Sequence, residues 1–148
     1  MDRRSAGESL EMDTSVINAT SPYKMDATFK LRAEPASVRT ARELTDVVLM
    51  SWALRYLVDP AKLIVSELFT NAARAAPGED LYLLLDNEVR TVRLGVWDSS
   101  PAMPVIEGHD LEDESGRGLH IVAALADGHG VAPVSNPRGK VVWARLTI

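Results

Sequence analysis

The first clear alternation along the chain is DATFKLRA, residues 26–33, where apolar and polar positions change places almost every residue. A strand with one buried face reads this way, because successive side chains leave a pleated backbone on opposite sides. The period then changes. After Pro35, the residues Val38, Ala41, Leu44, Val48 and Trp52 recur at intervals of three and four, on one face of a helix. Asp59-Pro60 predicts the start of a second helix, with the aspartate as cap and the proline in the first turn. That helix is expected to run to about Ala76, where Pro77-Gly78 stops it. The stretch DLYLLLDNEVRTVRLGVWD, residues 80–98, predicts two strands joined at Asp86-Asn87-Glu88. In the second of them Val92, Leu94 and Val96 point one way, and Arg93 and Trp97 the other. Residues 99–115 hold two prolines, the acids of EDE and no period, so a loop is predicted. GRGLHIVAALAD, residues 116–127, predicts a short helix with Leu119, Val122 and Ala126 on one face, and two strands follow near 128–134 and 140–148.

The order β-α-α-β-β-loop-α-β-β segregates helices from strands instead of alternating them. It predicts an α+β fold, a two-layer α/β sandwich whose mixed, mostly antiparallel sheet carries its helices on one face. Residues 1–25 are small or polar without a sustained period and read as a disordered tail, which leaves 26–148 as the folded domain. Met12 and Met25 are alternative start positions within that tail.

Composition removes several function classes. The 148 residues suit one domain with one core, and 46 % apolar with 25 % charged residues is an ordinary soluble profile. A net charge of −5 without a basic block counts against nucleic acid as the main partner. Cysteine is absent, so disulfides, thiolate zinc sites and cysteine nucleophiles are excluded. No apolar run is long enough for a membrane span and residues 1–25 lack a signal-peptide core, so a cytoplasmic protein is expected, with no membrane partner.

Three groups of residues carry candidate chemistry. Glu67 and Asn71 in SELFTNAARAA stand one helical turn apart, bordered by Ile64, Leu68 and Ala75 on one flank and by Lys62, Ser66 and Ala73 on the other, solvent side. A carboxylate there can accept a proton, and an amide oxygen suits a hard cation such as Mg²⁺. Two partly exposed polar residues on a surface helix are the plainer alternative. Asp98 continues the phase of Val92, Leu94 and Val96 and should face the core, where a carboxylate needs donors. The exocyclic amino group of a base, a structural arginine or the next turn of backbone would each serve. If the strand ends at Trp97, Asp98 simply caps the following turn. In ESGRGLHIV, Ser115, Gly116 and Gly118 precede or open a helix whose free amides attract phosphate, and Arg117 adds a positive charge. The same glycines also fit ordinary loop-to-helix punctuation. The conjunction, in this order along the chain, offers a metal ligand, a hook for a base and a phosphate cradle.

These residues resemble the Bergerat-fold (GHKL) ATPases. LIVSELFTNAARAA looks like their N box, VRLGVWDSSP like the first glycine box and ESGRGLHIVAALAD like the second. The closing GKVVWARL resembles the last strand of the bacterial anti-sigma-factor serine/threonine kinases. The resemblance covers about residues 26–148. It implies Glu67 as general base, Asn71 as a ligand of Mg²⁺, Asp98 as acceptor from the adenine amino group of ATP, and Gly116, Arg117, Gly118 and Leu119 at the phosphates. It implies residues 99–115 as a short ATP lid, with nucleotide between helices and sheet. The first box departs from the family's Asp-x-Gly-x-Gly: it reads Asp98-Ser99-Ser100-Pro101-Ala102, with Ser100 where the family's backbone packs close to adenine. A threonine common in the last strand corresponds to Val141 in this reading.

The three histidines, His109, His120 and His129, all come late, with none on a helical segment ahead of the domain as in sensor kinases; His109 and His129 are expected in loops. That points to the anti-sigma branch, whose members bind a sigma factor and phosphorylate a serine or threonine of an anti-anti-sigma antagonist. A homodimer is left open. Two readings follow from the resemblance: an active protein serine/threonine kinase, or a degenerate nucleotide-binding scaffold acting through protein contact alone. An unrelated small α+β domain is a third, more distant one.

Overall fold

The computed structural model describes residues 25–102 and 114–148, with the side chains of 114–119 left undescribed. The tail at 1–24 and residues 103–113 of the expected lid lie outside the described residues. The elements are β1 (Met25–Arg32), α1 (Pro35–Ser51), a 3₁₀ turn (Arg55–Leu57), α2 (Val58–Ala75), β2 (Asp80–Asn87), β3 (Thr91–Asp98), α3 (Glu114–Leu125), β4 (Gly128–Ser135) and β5 (Arg138–Thr147). The five strands form one sheet in the order β1-β2-β3-β5-β4. Every pairing is antiparallel, so the sheet is purely antiparallel and not mixed.

Strand parity builds the core as expected. Val92, Leu94 and Val96 are fully buried, and Leu81, Leu83 and Leu85 of β2 and Ala144 and Leu146 of β5 share their face. Against it pack Ile64, Val65, Leu68 and Phe69 of α2, Ala41, Val48 and Leu49 of α1 and Val122 of α3. All described helices therefore sit on one face. α2 is the central one, packed against α1, α3 and β3. The buried stripe of α1 is rotated slightly from the expected one: Thr45 and Leu49 are fully buried, while Val38, Leu44 and Trp52 are only partly so. Thr45 is tolerated there because its Oγ1 donates to the Ala41 carbonyl at 2.8 Å.

Trp97 points away from this core, yet it is not solvated. Tyr82, Leu84, Trp97, Val134 and Val141 form a second buried cluster on the opposite face, with Trp143 beside it. The Tyr82 and Trp97 rings lie 5.3 Å apart between centroids at 55°, a favourable aromatic arrangement. The Trp97 indole N–H donates to the Pro137 carbonyl at 3.3 Å.

Three boundaries differ from expectation. α2 begins at Val58 with no side-chain cap, so Asp59 and Pro60 lie inside its first turn; an unpaired N–H is normal there and proline loses nothing. The β2–β3 turn is Glu88-Val89-Arg90, because Asp86 and Asn87 stay in the ladder opposite Arg93 and Val92. α1 ends without glycine. Ala53 takes φ 62°, its N–H reaches the Met50 carbonyl and the Leu54 N–H reaches that of Leu49, which is a Schellman closure with alanine at the left-handed position.

Candidate functional site

Asp98 ends β3 in phase with Val92, Leu94 and Val96, and it is 1 % exposed. Its direct partner in the register is Lys140 of β5. Lys140 is 4 % exposed, and its Nζ lies 2.7 Å from Asp98 Oδ1. The Ser100 backbone N–H donates to the same oxygen at 2.8 Å, and the ammonium also donates to the Ser100 carbonyl at 3.0 Å. The carboxylate thus meets both of the donor types its burial demands, a cation and the next turn, with lysine where an arginine was considered. Asp98 belongs to the strand and caps the following turn at once.

The same bonds shape the turn after Asp98 without glycine. Ser100 uses its N–H and carbonyl as above, and its Oγ accepts from the Ala102 N–H at 3.1 Å. Ala53 is the only non-glycine residue with positive φ among the described residues, so Ser99 and Ser100 turn without a left-handed backbone. The demand for glycine moves to Gly139. A Cβ there would collide with the Asp98 carbonyl oxygen and come within 2.8 Å of the Trp97 indole.

Val141 is on the other face of the sheet, 1 % exposed in the cluster with Trp97. It does not face Asp98, since adjacent strand residues point to opposite sides. The residue that faces Asp98 is Lys140, which the expected site omits. One signal in the sequence marks it: in GKVVWARL, lysine shares the phase of Val142, Ala144 and Leu146, an apolar face.

Glu67 and Asn71 are half-buried on α2, beside the buried stripe of Ile64 and Leu68. The flank holding Lys62 and Ser66 is not simply solvent: Lys62 Nζ reaches Asp46 of α1 at 3.5 Å, and Ser66 Oγ donates to the Lys62 carbonyl. α1 therefore covers that flank. By helical phase Glu67 and Asn71 occupy the opposite one. Among the described residues the Glu67 side chain has no hydrogen bond or ion pair. Asn71 Nδ2 is buried without a partner. Rotation of the amide exchanges Nδ2 and Oδ1, so the position of this unpaired atom suits an oxygen ligand of Mg²⁺. No group of three His, Cys, Asp or Glu gathers among the described residues. A cation here would take Asn71 together with phosphate oxygens and waters, the usual manner of Mg²⁺.

α3 starts at Glu114, two residues before the expected position. Gly116 then falls in its first turn among the unpaired amides, and the Gly118 amide belongs to the helical ladder, with Arg117 and Leu119 beside it. His120 is exposed on α3, and His129 is exposed on β4, not in a loop. A cavity of about 560 Å³ lies at the Asp98 end of the sheet, lined by Ser99, Pro101, Pro133, Arg138, Gly139 and Lys140 among others. That volume is in the range of small-molecule sites. Glu67 and Asn71 do not line it. No helix among the described residues is long and apolar enough to cross a membrane.

Compared with known proteins, residues 31–146 match the profile of one family, described as histidine kinase-like ATPase domain. No curated protein matches the chain.

Proposed function

The chain belongs to the histidine kinase-like ATPase domain family, and from that premise we propose that it is an anti-sigma-type regulator that uses ATP to phosphorylate an antagonist protein. Membership of this family implies ATP as its nucleotide. The observation that carries the reading is Asp98: a buried carboxylate at a strand end, on the helix-facing side of the sheet, with Oδ2 taking neither of its two donors. Asp98 accepts from the adenine amino group. Ser100 borders the base, and the amide of Gly116 with Arg117, Gly118 and Leu119 flanks the phosphates at the start of α3. Asn71 holds Mg²⁺, which neutralises charge on the phosphates.

Glu67 is the general base. It takes the proton of a serine or threonine hydroxyl as that oxygen bonds to the γ-phosphorus. The bond from phosphorus to the bridging oxygen breaks, and ADP leaves with that oxygen. The partners are a sigma factor and its antagonist, and the setting is the bacterial cytoplasm.

One observation favours the scaffold alternative. The first box lacks glycine, and Asp98 Oδ1 is already engaged by Lys140 and Ser100. The test is transfer of labelled γ-phosphate to candidate antagonists, beside titration with Mg-ATP and Mg-ADP. Transfer to one antagonist is expected. If neither nucleotide binds and no antagonist is labelled while a sigma factor still binds, the scaffold takes the kinase's place.

A further inference from the structure

We propose that Lys140 is a base-reading residue of the nucleotide site, acting beside Asp98. This rests on the assignment of Asp98 to the adenine amino group. An ammonium carries three N–H donors. Two of them are engaged, one by Asp98 Oδ1 at 2.7 Å and one by the Ser100 carbonyl at 3.0 Å. Among the described residues the third has no acceptor. On the carboxylate both donors converge on Oδ1, and Oδ2 receives neither. The ion pair therefore presents two complementary groups side by side, an acceptor on Asp98 and a donor on Lys140.

The burial of the pair gives this arrangement its force. At 1 % and 4 % exposed, the two residues have little contact with bulk water. Each bond left unmade costs more there than at the surface. The pair is also rigidly held. Register places the two residues opposite each other, and Gly139 brings β5 against the Asp98 carbonyl. Lys140 is also among the residues lining the cavity at this end of the sheet, while Asp98 lies behind them.

The edge of adenine matches. Its exocyclic amino group is a donor, and on either side of it lies a ring nitrogen that accepts, N1 or N7. The amino group goes to Asp98 Oδ2 and the flanking nitrogen receives the third Lys140 proton. A purine with a carbonyl oxygen in place of the amino group offers an acceptor to the carboxylate and is rejected. In this role lysine is a specificity-determining residue and makes no covalent contact.

The test removes one ligand atom at a time. Binding of ATP, 1-deaza-ATP and 7-deaza-ATP is measured by calorimetric titration on the wild-type protein, on Lys140→Met and on Lys140→Arg. Wild type is expected to bind one of the two deaza analogues about tenfold more weakly than ATP, the usual cost of losing one such bond. In Lys140→Met that difference shrinks to about twofold or less, the signature of a direct contact in a double-mutant cycle. Lys140→Arg retains part of it. If Lys140→Met does not fold, Lys140→Arg carries the comparison: a penalty smaller than in wild type supports the contact, and an undiminished one overturns it. Equal binding of all three nucleotides to wild type overturns the role of Lys140 and leaves the ATP site standing. An analogue penalty that persists undiminished in folded Lys140→Met does the same. Failure of wild type to bind ATP at all overturns both this inference and the reading of Asp98 beneath it.

Discussion

Glu67 and Asn71 stand one turn apart on α2, half-buried on the flank away from α1, and of the two Asn71 alone has a buried polar atom without a partner among the described residues. Their shared face hides different needs. A carboxylate with partial access to water is tolerated without a partner. A buried amide with an unmade bond is poised for a ligand.

The two residues should therefore fail differently. Glu67→Ala is expected to bind Mg-ATP like wild type while phosphate transfer falls by about 10²–10⁴-fold, the share of a general base. Asn71→Ala should weaken Mg-ATP binding and lose transfer with it. Nucleotide titration and a labelled-phosphate assay on each variant check this. Equal loss of binding in both variants contradicts it. Sigma-factor binding by Glu67→Ala should persist, because that contact needs a folded surface and no chemistry.

Asp98→Asn keeps the shape of the side chain and removes its charge. Affinity for ATP should drop by about 1–3 kcal/mol, the cost of a lost buried partner, and the preference for ATP over GTP should narrow. Titration with both nucleotides is the measurement. An unchanged affinity and preference would show that another group reads the base.

Gly139→Ala should destabilise the fold by about 1–3 kcal/mol, the usual penalty of overpacking. The new methyl group has only the Asp98 carbonyl and the Trp97 indole to push against, and neither side of that contact has room. A lower urea midpoint together with a changed near-ultraviolet signal from Trp97 is the expected result.

Ala53→Gly should have the opposite sign. Ala53 is exposed and held at φ 62°, so glycine loses no packing and relieves a left-handed strain of about 1 kcal/mol. A raised urea midpoint with an unchanged slope checks this.

Asp127 links stability to acid. The Thr147 N–H donates to its Oδ2 at 2.6 Å, and the hydrogen bonds from Thr147, with Arg145 nearby, hold its pKa below the ordinary carboxylate value. A lowered folded pKa contributes stability above the unfolded value of about 3.9 and loses it as pH falls below that. Asp127→Asn should flatten the fall of the urea midpoint between about pH 5 and pH 3, a window set by that unfolded value.

The sequence by itself determined every described strand and α-helix, though not the 3₁₀ turn at Arg55–Leu57, together with the one-sided helical layer and the inward phase of Val92, Leu94, Val96 and Asp98. These are local matters. Period two or period 3.6 is written in neighbouring residues, and a turn residue acts within its own turn. It also set Glu67 beside Asn71, because four residues make one helical turn. Tertiary structure alone decided what meets Asp98. Lys140 lies 42 residues further on, and its place opposite Asp98 depends on the β3–β5 register, which many packing contacts fix together. The same register sent Val141 to the Trp97 face. The β2–β3 register likewise turned Asp86 and Asn87, which look like turn residues, into strand positions facing Arg93 and Val92. Parity tells which side a residue leaves its own strand; only the assembled sheet supplies the neighbour it finds there.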